Sequence, residues 1–362
     1  MKIVALKDHL DDRVPIVPDT VKSYIKLGFE VLLERNIGDS IFIRDEEYLK
    51  AGAKILSDKI QLLNAADILI KVQRGEHLTL EAKHLKESSI VIGLLDPYDN
   101  KEYFENLKEK NIKILCMEKV PRTTRAQSMD ALSSQASLLG YRAVLEATSL
   151  SLKVMPMMTT AAGTISAAKV LIIGAGVAGL QAIATAKRLG AIVFATDVRS
   201  AAKEQVESLG GKFLELLSMQ SNEQAKGGYA NELNDSDKNN QQQALEKEIS
   251  KFDIIITTAM IPGKKAPLII TENMVKNLNP GAVIIDLAAK TGGNCALTKL
   301  DEVALSNGVT IVGLSNIVGK VAKDASKLYS KNIFNLIEYA YNQNTKELNV
   351  LTEDEIIGPM II

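Results

Sequence analysis

Two periods alternate along the first 120 residues. Short apolar runs, KIVAL at 2–6, FEVLLE at 29–34, DILIKV at 67–72, SIVIGLL at 89–95 and IKILCM at 112–117, are rich in Ile, Val and Leu. Continuous hydrophobicity marks strands covered on both faces, as in a parallel sheet between helix layers. Amphipathic stretches at 18–28, 44–53, 77–87 and 100–110 separate them, two ending at Gly28 and Gly52 as helix C-termini often do. The βαβα order predicts a doubly wound α/β domain.

The pattern changes at Pro121. Residues 122–133 are polar, and from Asp130 apolar residues recur at helical spacing to Ala147, predicting a long helix closed near Pro156. At Lys169 the alternation restarts with KVLIIGAG, a helix at 177–189, AIVFATD, a helix at 199–209, and GGKFLELL. Strands FDIIITTAM (252–260), GAVIIDLA (281–288) and VTIVGL (309–314) follow. Between Leu217 and Ile249 lies a polar insert, read as a surface loop or a lid. A last amphipathic helix at 324–341 is expected to pack back on the first domain, and the final residues read as a tail with exposed apolar ends. The expected architecture is two doubly wound Rossmann-like α/β domains with an interdomain cleft. The first is discontinuous, 1–130 plus about 315–362; the helix 131–149 connects it to a second domain at about 150–314.

Composition narrows the classes. The 362 residues carry 43 Lys and Arg against 44 Asp and Glu, a net charge of −1, so nothing recommends nucleic acid or an anionic membrane as partner. Two cysteines, Cys116 and Cys295, without CxxC spacing exclude a disulfide framework or structural zinc. No apolar run approaches the ~18 residues of a membrane span. Asp8, Asp11 and Asp12 come too early for a signal peptide, so the default compartment is the cytoplasm or an equivalent reducing space. His77 and His84 lie seven apart, the wrong spacing for a helical metal pair, and read as solvated; His9 follows the first strand. No metal site is expected.

The strongest local signal is Gly174-Ala175-Gly176-Val177-Ala178-Gly179, between a strand and a helix, with Asp197 ending the next strand 18 positions after the last glycine. Gly174 permits a tight turn, Gly176 lets backbone approach a pyrophosphate, and Gly179 lets helix and sheet pack closely. Asp197 suits a ribose and repels a 2′-phosphate, favouring NAD(H) over NADP(H); Arg199 pulls the other way, since an Arg there accommodates that phosphate. The loop Arg122 to Ser133, with Gln127 and Asp130, offers partners for a carboxamide and a ribose; equally, Asp130 or Ser128 is the cap of a helix start. Lys71, ending a strand, is either a general base or an ordinary surface lysine. Tyr229, after Gly227-Gly228, is either part of a nucleotide lid or an exposed turn residue. The segment Thr258-Ala259-Met260-Ile261-Pro262-Gly263 ends a strand at the carboxyl edge, where cofactors lie in such sheets.

At RAQSMD, SSQ, GYRAV, TAAGT, GVAGLQAIATAKRLGA, ATDVR, AKEQVESLGGKF, GGYA, ITTAMIPGKKAP and GGNC, the chain resembles one family over essentially its whole length. It is similar to the NAD(H)-binding domain I, the first part of the alpha subunit, of proton-translocating NAD(P) transhydrogenases. Because it stops before any membrane helix, it resembles the split form. The resemblance implies that Arg122 and Asp130 hold the nicotinamide carboxamide and that Gln127 helps orient the hydride partners, with Ser133 in the same nicotinamide-side loop. It assigns Ala175, Gly176 and Val177 to the Rossmann turn, Asp197 to the ribose, and Tyr229 to a closing loop. Ser128, Met129, Gly174, Gly179, Val198, Arg199, Gly228, Ala259 and Gly263 complete the expected NAD(H) contacts. It further implies NADP(H) on a beta subunit and a separate transmembrane chain supplying the rest of the alpha subunit. A homodimer with the 130–147 helix as one candidate contact, and peripheral attachment on the cytoplasmic side of the inner membrane, follow from the same resemblance.

Alanine dehydrogenases share both domains and resemble the chain at Arg13, in RVPIVP, and Lys71, in DILIKV. Their catalytic histidine is expected near SIVIGLLDPY, where this chain has Leu95 and Asp96. Hydride passing directly between two nicotinamides changes no C–O or C–N protonation, so the missing base fits transhydrogenation. A subunit that senses or scaffolds NAD(H) without turnover is the alternative of a different class.

Overall fold

The computed structural model describes residues 1–98, 101–216, 235–261 and 263–362. They form two compact units, Met1–Gln135 with Val318–Ile362, and Ala136–Ile317. The first holds β1 (Lys2–Ala5), α1 (Pro18–Lys26), β2 (Glu30–Glu34), α2 (Asp45–Lys50), β3 (Lys54–Leu56), α3 (Lys59–Ala65), β4 (Ile68–Gln73), α4 (Leu78–His84), β5 (Ile90–Leu94), α5 (Lys101–Lys108) and β6 (Lys113–Cys116). All six strands are parallel in the order β3-β2-β1-β4-β5-β6. Helix α6 (Ala131–Leu150) begins in this unit and ends in the second.

The apolar runs read as they do because both faces are buried. Ile3, Val31, Leu33, Ile68, Ile70 and Ile92 enter one core, while Val4, Leu32, Leu69 and Val91 enter the other, as the pleat requires.

The second unit contains a hairpin, β7 (Met158–Thr160) and β8 (Gly163–Ile165), then β9 (Lys169–Ile173), α7 (Val177–Arg188), β10 (Ile192–Thr196), α8 (Ala202–Ser208) and β11 (Lys212–Phe213). After α9 (Asp235–Glu248) come β12 (Ile254–Thr257), α10 (Glu272–Lys276), β13 (Val283–Asp286), β14 (Val303–Ser306) and β15 (Val309–Val312). The sheet order is β11-β10-β9-β12-β13-β15-β14, parallel except for β14. The order reverses at β9, where the crevice beyond the strand ends is the usual ligand position of open α/β sheets.

Helix α11 (Ala322–Ala340) belongs to the first unit and packs on its sheet through Tyr329, Ile333, Phe334 and Ile337. Its buried polar groups reach the chain's first loop and α1: Ser326 Oγ accepts Val14 N–H at 2.8 Å, and Ser330 Oγ lies 2.5 Å from Thr20 Oγ1 in α1.

Three expectations need correction. The C-terminal residues are not a tail with exposed apolar ends: Ile356, Ile357 and Met360 are buried, Ile361 bridges Leu115, and Ile362 N–H donates to Ile114 O at 3.2 Å. They cover β6, whose outer backbone groups are otherwise an open sheet edge. The 217–249 insert is not all loop, since α9 lies within it; the helix sequence, DSDKNNQQQALEKE, is almost wholly polar, with too few apolar positions to show a period, and among its described residues Gln241 and Leu245 are buried. His77 is not a solvated helix residue; it precedes α4, half-buried, with Nε2 2.8 Å from Lys59 Nζ and 3.2 Å from Lys7 O.

Candidate functional site

In the second unit the chain leaves β9 through Gly174, at φ +98°, a conformation that favours glycine. Gly174 N–H donates to Thr196 O at 2.9 Å, and Thr258 Oγ1 donates to Gly174 O at 3.0 Å, tying the turn to the neighbouring strand ends. A Cβ on Gly179 would lie 1.8 Å from Gly174 O, so α7 starts as close to the turn as only glycine permits. A Cβ on Gly176 would meet nothing within 4 Å; this side of the turn is open. Gly176 caps α7, whose first amides are oriented for an anion. The fit to a nucleotide diphosphate is direct: bare backbone, an open side and a helix N-terminus. Ala175 is buried and Val177 is exposed beside it.

Asp197 sits just past β10. It accepts Ala175 N–H at 2.7 Å, Arg199 N–H at 2.9 Å, and the Arg199 fork from Nε and Nη2, both at 2.9 Å. Burial alone raises its pKa, but the Arg199 hydrogen bonds and charge outweigh that and hold the carboxyl below its ordinary range. Four donors on one carboxylate fill its acceptor capacity, so a ribose must displace part of the Arg199 fork to reach it. Val198, between the two in sequence, is half-buried.

At the carboxyl edge, Ala259 has its N–H and C=O both bound to the Asn294 side chain, at 3.1 and 2.9 Å, which leaves its methyl group for any ligand. Asn294 also donates to Pro267 O at 2.8 Å. Its own backbone is held by Asp286, fully buried, which accepts from Thr257 Oγ1, Thr298 Oγ1 and the amides of Ala288, Asn294 and Cys295 at 2.6–3.0 Å. The sequence signal for Asp286 and Asn294 is an acidic residue ending an apolar strand shortly before GGN. Gly263 is exposed at φ +69°. Gly228 and Tyr229 lie outside the described residues.

In the first unit a 3-10 turn, Thr124–Met129, follows Arg122. Ala126 and Met129 are buried in the core, so the Met129 side chain is not offered to a ligand; Arg122, Gln127 and Ser128 are exposed. Asp130 caps α6: Oδ1 accepts Ser133 N–H at 2.9 Å and Oδ2 accepts Ser133 Oγ–H at 2.6 Å. The capping reading of Asp130 is therefore correct, and it leaves each oxygen a further lone pair.

Lys71 is not a surface lysine. It is largely buried, bonded to both Glu81 oxygens at 2.6 and 2.7 Å and to Arg74 O, and Tyr103 OH also donates to Glu81 at 2.7 Å. Arg13 is clamped by Asp11 at 2.6–3.2 Å and donates to Gln135 at 2.9 Å. Both line a small cavity with Asp8, Glu76, His77 and Glu81, and both have their charge neutralised from within. Among the described residues no group of three or more His, Cys, Asp or Glu could hold a metal ion, and no helix is long and apolar enough to cross a membrane.

Family models described as alanine dehydrogenase/PNT, N-terminal domain, and alanine dehydrogenase/PNT, C-terminal domain, match residues 6–139 and 143–362. The first part of NAD(P) transhydrogenase subunit alpha from Rickettsia prowazekii (strain Madrid E) is 47% identical, covering 100% of this chain and 94% of that protein. The corresponding subunit of the same name from Rhodospirillum rubrum is 48% identical, covering 99% and 95%. The crystal structure of transhydrogenase from Sinorhizobium meliloti superposes with a TM-score of 0.88 at 40% identity, covering 100% of this chain and 98% of that one. An L-alanine dehydrogenase shares the fold, with a TM-score of 0.82 at 20% identity over 100% and 94%. The chain belongs to the alanine dehydrogenase/PNT family, with NAD(P) transhydrogenase alpha subunits among its relatives at 47–48% identity.

Proposed function

We propose that this chain is the NAD(H)-binding peripheral subunit of a proton-translocating NAD(P) transhydrogenase. The observation that carries the reading is the turn at Gly174–Gly179 with Asp197 behind it, in a chain whose buried lysine is already paired to Glu81. When bound, NAD(H) supplies the hydride donor or acceptor at its nicotinamide. The chain's residues hold it there. Gly176 gives backbone access to the diphosphate, the α7 N-terminus favours its charge, and Asp197 takes the ribose as Arg199 swings aside. Arg122 and Asp130 hold the carboxamide, Asp130 through the lone pairs that Ser133 leaves, and Gln127 orients the ring. Ala259 and Gly263 contribute packing at the strand edge, and Gly228 and Tyr229 are assigned to the same nucleotide.

NADP(H) sits on a partner beta subunit, and a transmembrane chain completing the alpha subunit moves the proton. The chain is a homodimer attached peripherally on the cytoplasmic side of the inner membrane. Transfer between two rings held ~3–3.5 Å apart needs no proton donor, which suits a site where Lys71 and Arg13 are neutralised by internal carboxylates. Those pairings oppose alanine oxidation, which needs a free cation for the substrate carboxylate and a base for its amine.

The test mixes the chain with an NADP(H)-binding partner and NADPH and follows reduction of an NAD analogue, with the chain alone plus alanine and NAD as control. Turnover confined to the mixture and lost in Gln127→Asn supports the reading. A silent mixture with alanine-dependent NADH formation overturns it, and a stable but silent complex points to a sensing subunit.

A further inference from the structure

Resting on that function, we infer that Asn332, in the middle of α11, is a positioning residue for hydride transfer. It fixes the turn that carries Gln127 and Asp130 without touching substrate. Asn332 lies on the buried face of α11, in the same stretch as Tyr329, Ile333 and Leu336, where an apolar residue would pack at lower cost. What its amide does there is specific. Nδ2 donates to Ser128 O at 2.9 Å, and Oδ1 accepts Ser134 Oγ–H at 2.7 Å. The Ser128 carbonyl demands the NH2 side, so a single orientation of the amide satisfies both contacts.

One turn of helix later, Asn335 Nδ2 donates to the same Ser128 O at 3.0 Å. At the far end of the segment Gln135 Nε2 donates to Ala325 O at 3.1 Å. Helix α11 thus grips residues 128–135 on both sides of Asp130 and Ser133, while Ala126 and Met129 anchor the turn in the core. Between those two anchors, Gln127 and Ser128 stay exposed. A turn gripped this way holds its exposed groups in fixed register, which is what transfer between two rings requires. A displacement near 1 Å can cost on the order of 100-fold in rate.

The test uses the chain in complex with its NADP(H)-binding partner, with two readouts: single-turnover hydride transfer and the NADH dissociation constant. Asn332→Leu keeps the packing and removes both amide contacts. Its transfer rate is expected to fall on the order of 10- to 100-fold, while NADH affinity changes by less than about threefold, because the Gly174–Gly179 turn and Asp197 carry most of the binding. Asn335→Ala, on the less buried side, is expected to lower the rate a few-fold. Wild-type transfer in Asn332→Leu overturns the inference, and so does a fall in rate matched by an equal fall in affinity. If Asn332→Leu does not fold, Asn335→Ala and Ser134→Ala decide, and wild-type transfer in both overturns it. Gln127→Asn separates the two levels: if it too transfers normally, the function assigned to the turn fails, whereas a slow Gln127→Asn beside a normal Asn332→Leu sinks only the positioning role.

Discussion

At the scale of single residues, the proposed function makes the pair Asp197–Arg199 the selector between the two nucleotides. Its bidentate contact neutralises the arginine and fills the carboxylate, so neither is idle. A ribose with two free hydroxyls offers Asp197 donors that replace the fork. A 2′-phosphate offers it only like charge. Removing the carboxylate reverses the balance, because Arg199 is then released to meet a phosphate. Asp197→Ala is therefore expected to weaken NADH by on the order of 10- to 100-fold, the worth of hydrogen bonds to a charged group at about 1.5–3 kcal/mol. NADPH is expected to bind that variant more tightly than it binds wild type. Dissociation constants for both nucleotides check this; an unchanged ratio means that Asp197 does not meet the ribose.

At the scale of elements, the placement of α7 depends on its crossing with α6. A Cβ on Gly140 would lie 2.0 Å from Ala178 O, nearer than any methyl group can sit, so the two helices touch backbone to backbone just where α7 leaves the glycine turn. Gly140→Ala is expected to push the helices apart, cost about 1–3 kcal/mol in stability, and weaken NADH measurably. Denaturant midpoints and NADH titration together test it; a loss of stability with normal NADH affinity means that the turn does not depend on the crossing. The elements differ in how plainly the sequence announces them. Strands buried on both faces produce unbroken apolar runs, which is why β1, β2, β4, β5 and β9 are legible. Strand β3 has three residues and α9 is almost wholly polar in sequence, so neither carries an apolar period. The C-terminal apolar residues look exposed in sequence only because β6, the edge they cover, lies far earlier in the chain. The glycine turn is legible because its geometry is local. The grip of Asn332 on Ser128 spans 204 residues, and the hold of Asp286 on the GGN loop looks like any strand-ending carboxylate; no spacing rule announces either.

At the scale of the whole molecule, the arrangement of charge predicts how the reaction responds to pH. Asp197 is held below the ordinary carboxylate range by Arg199. Its contribution to stability is then complete above the unfolded value near 3.9 and is lost only as pH falls through the depressed folded value, well outside the neutral range. Lys71 and Arg13, the cations that an amino-acid oxidation would use, each hold a carboxylate at 2.6 Å. Transfer of a hydride between two nicotinamides moves no proton to or from the chain. The rate in a mixture of this chain and a soluble NADP(H)-binding partner, free of any membrane component, is therefore expected to be level from about pH 6 to 9, with no limb of a bell. Single-turnover traces across that range check it. A tenfold change in rate per pH unit on either side would reveal an acid or base in the chemical step. Glu81→Gln would then show whether Lys71, freed from its carboxylate, is that group.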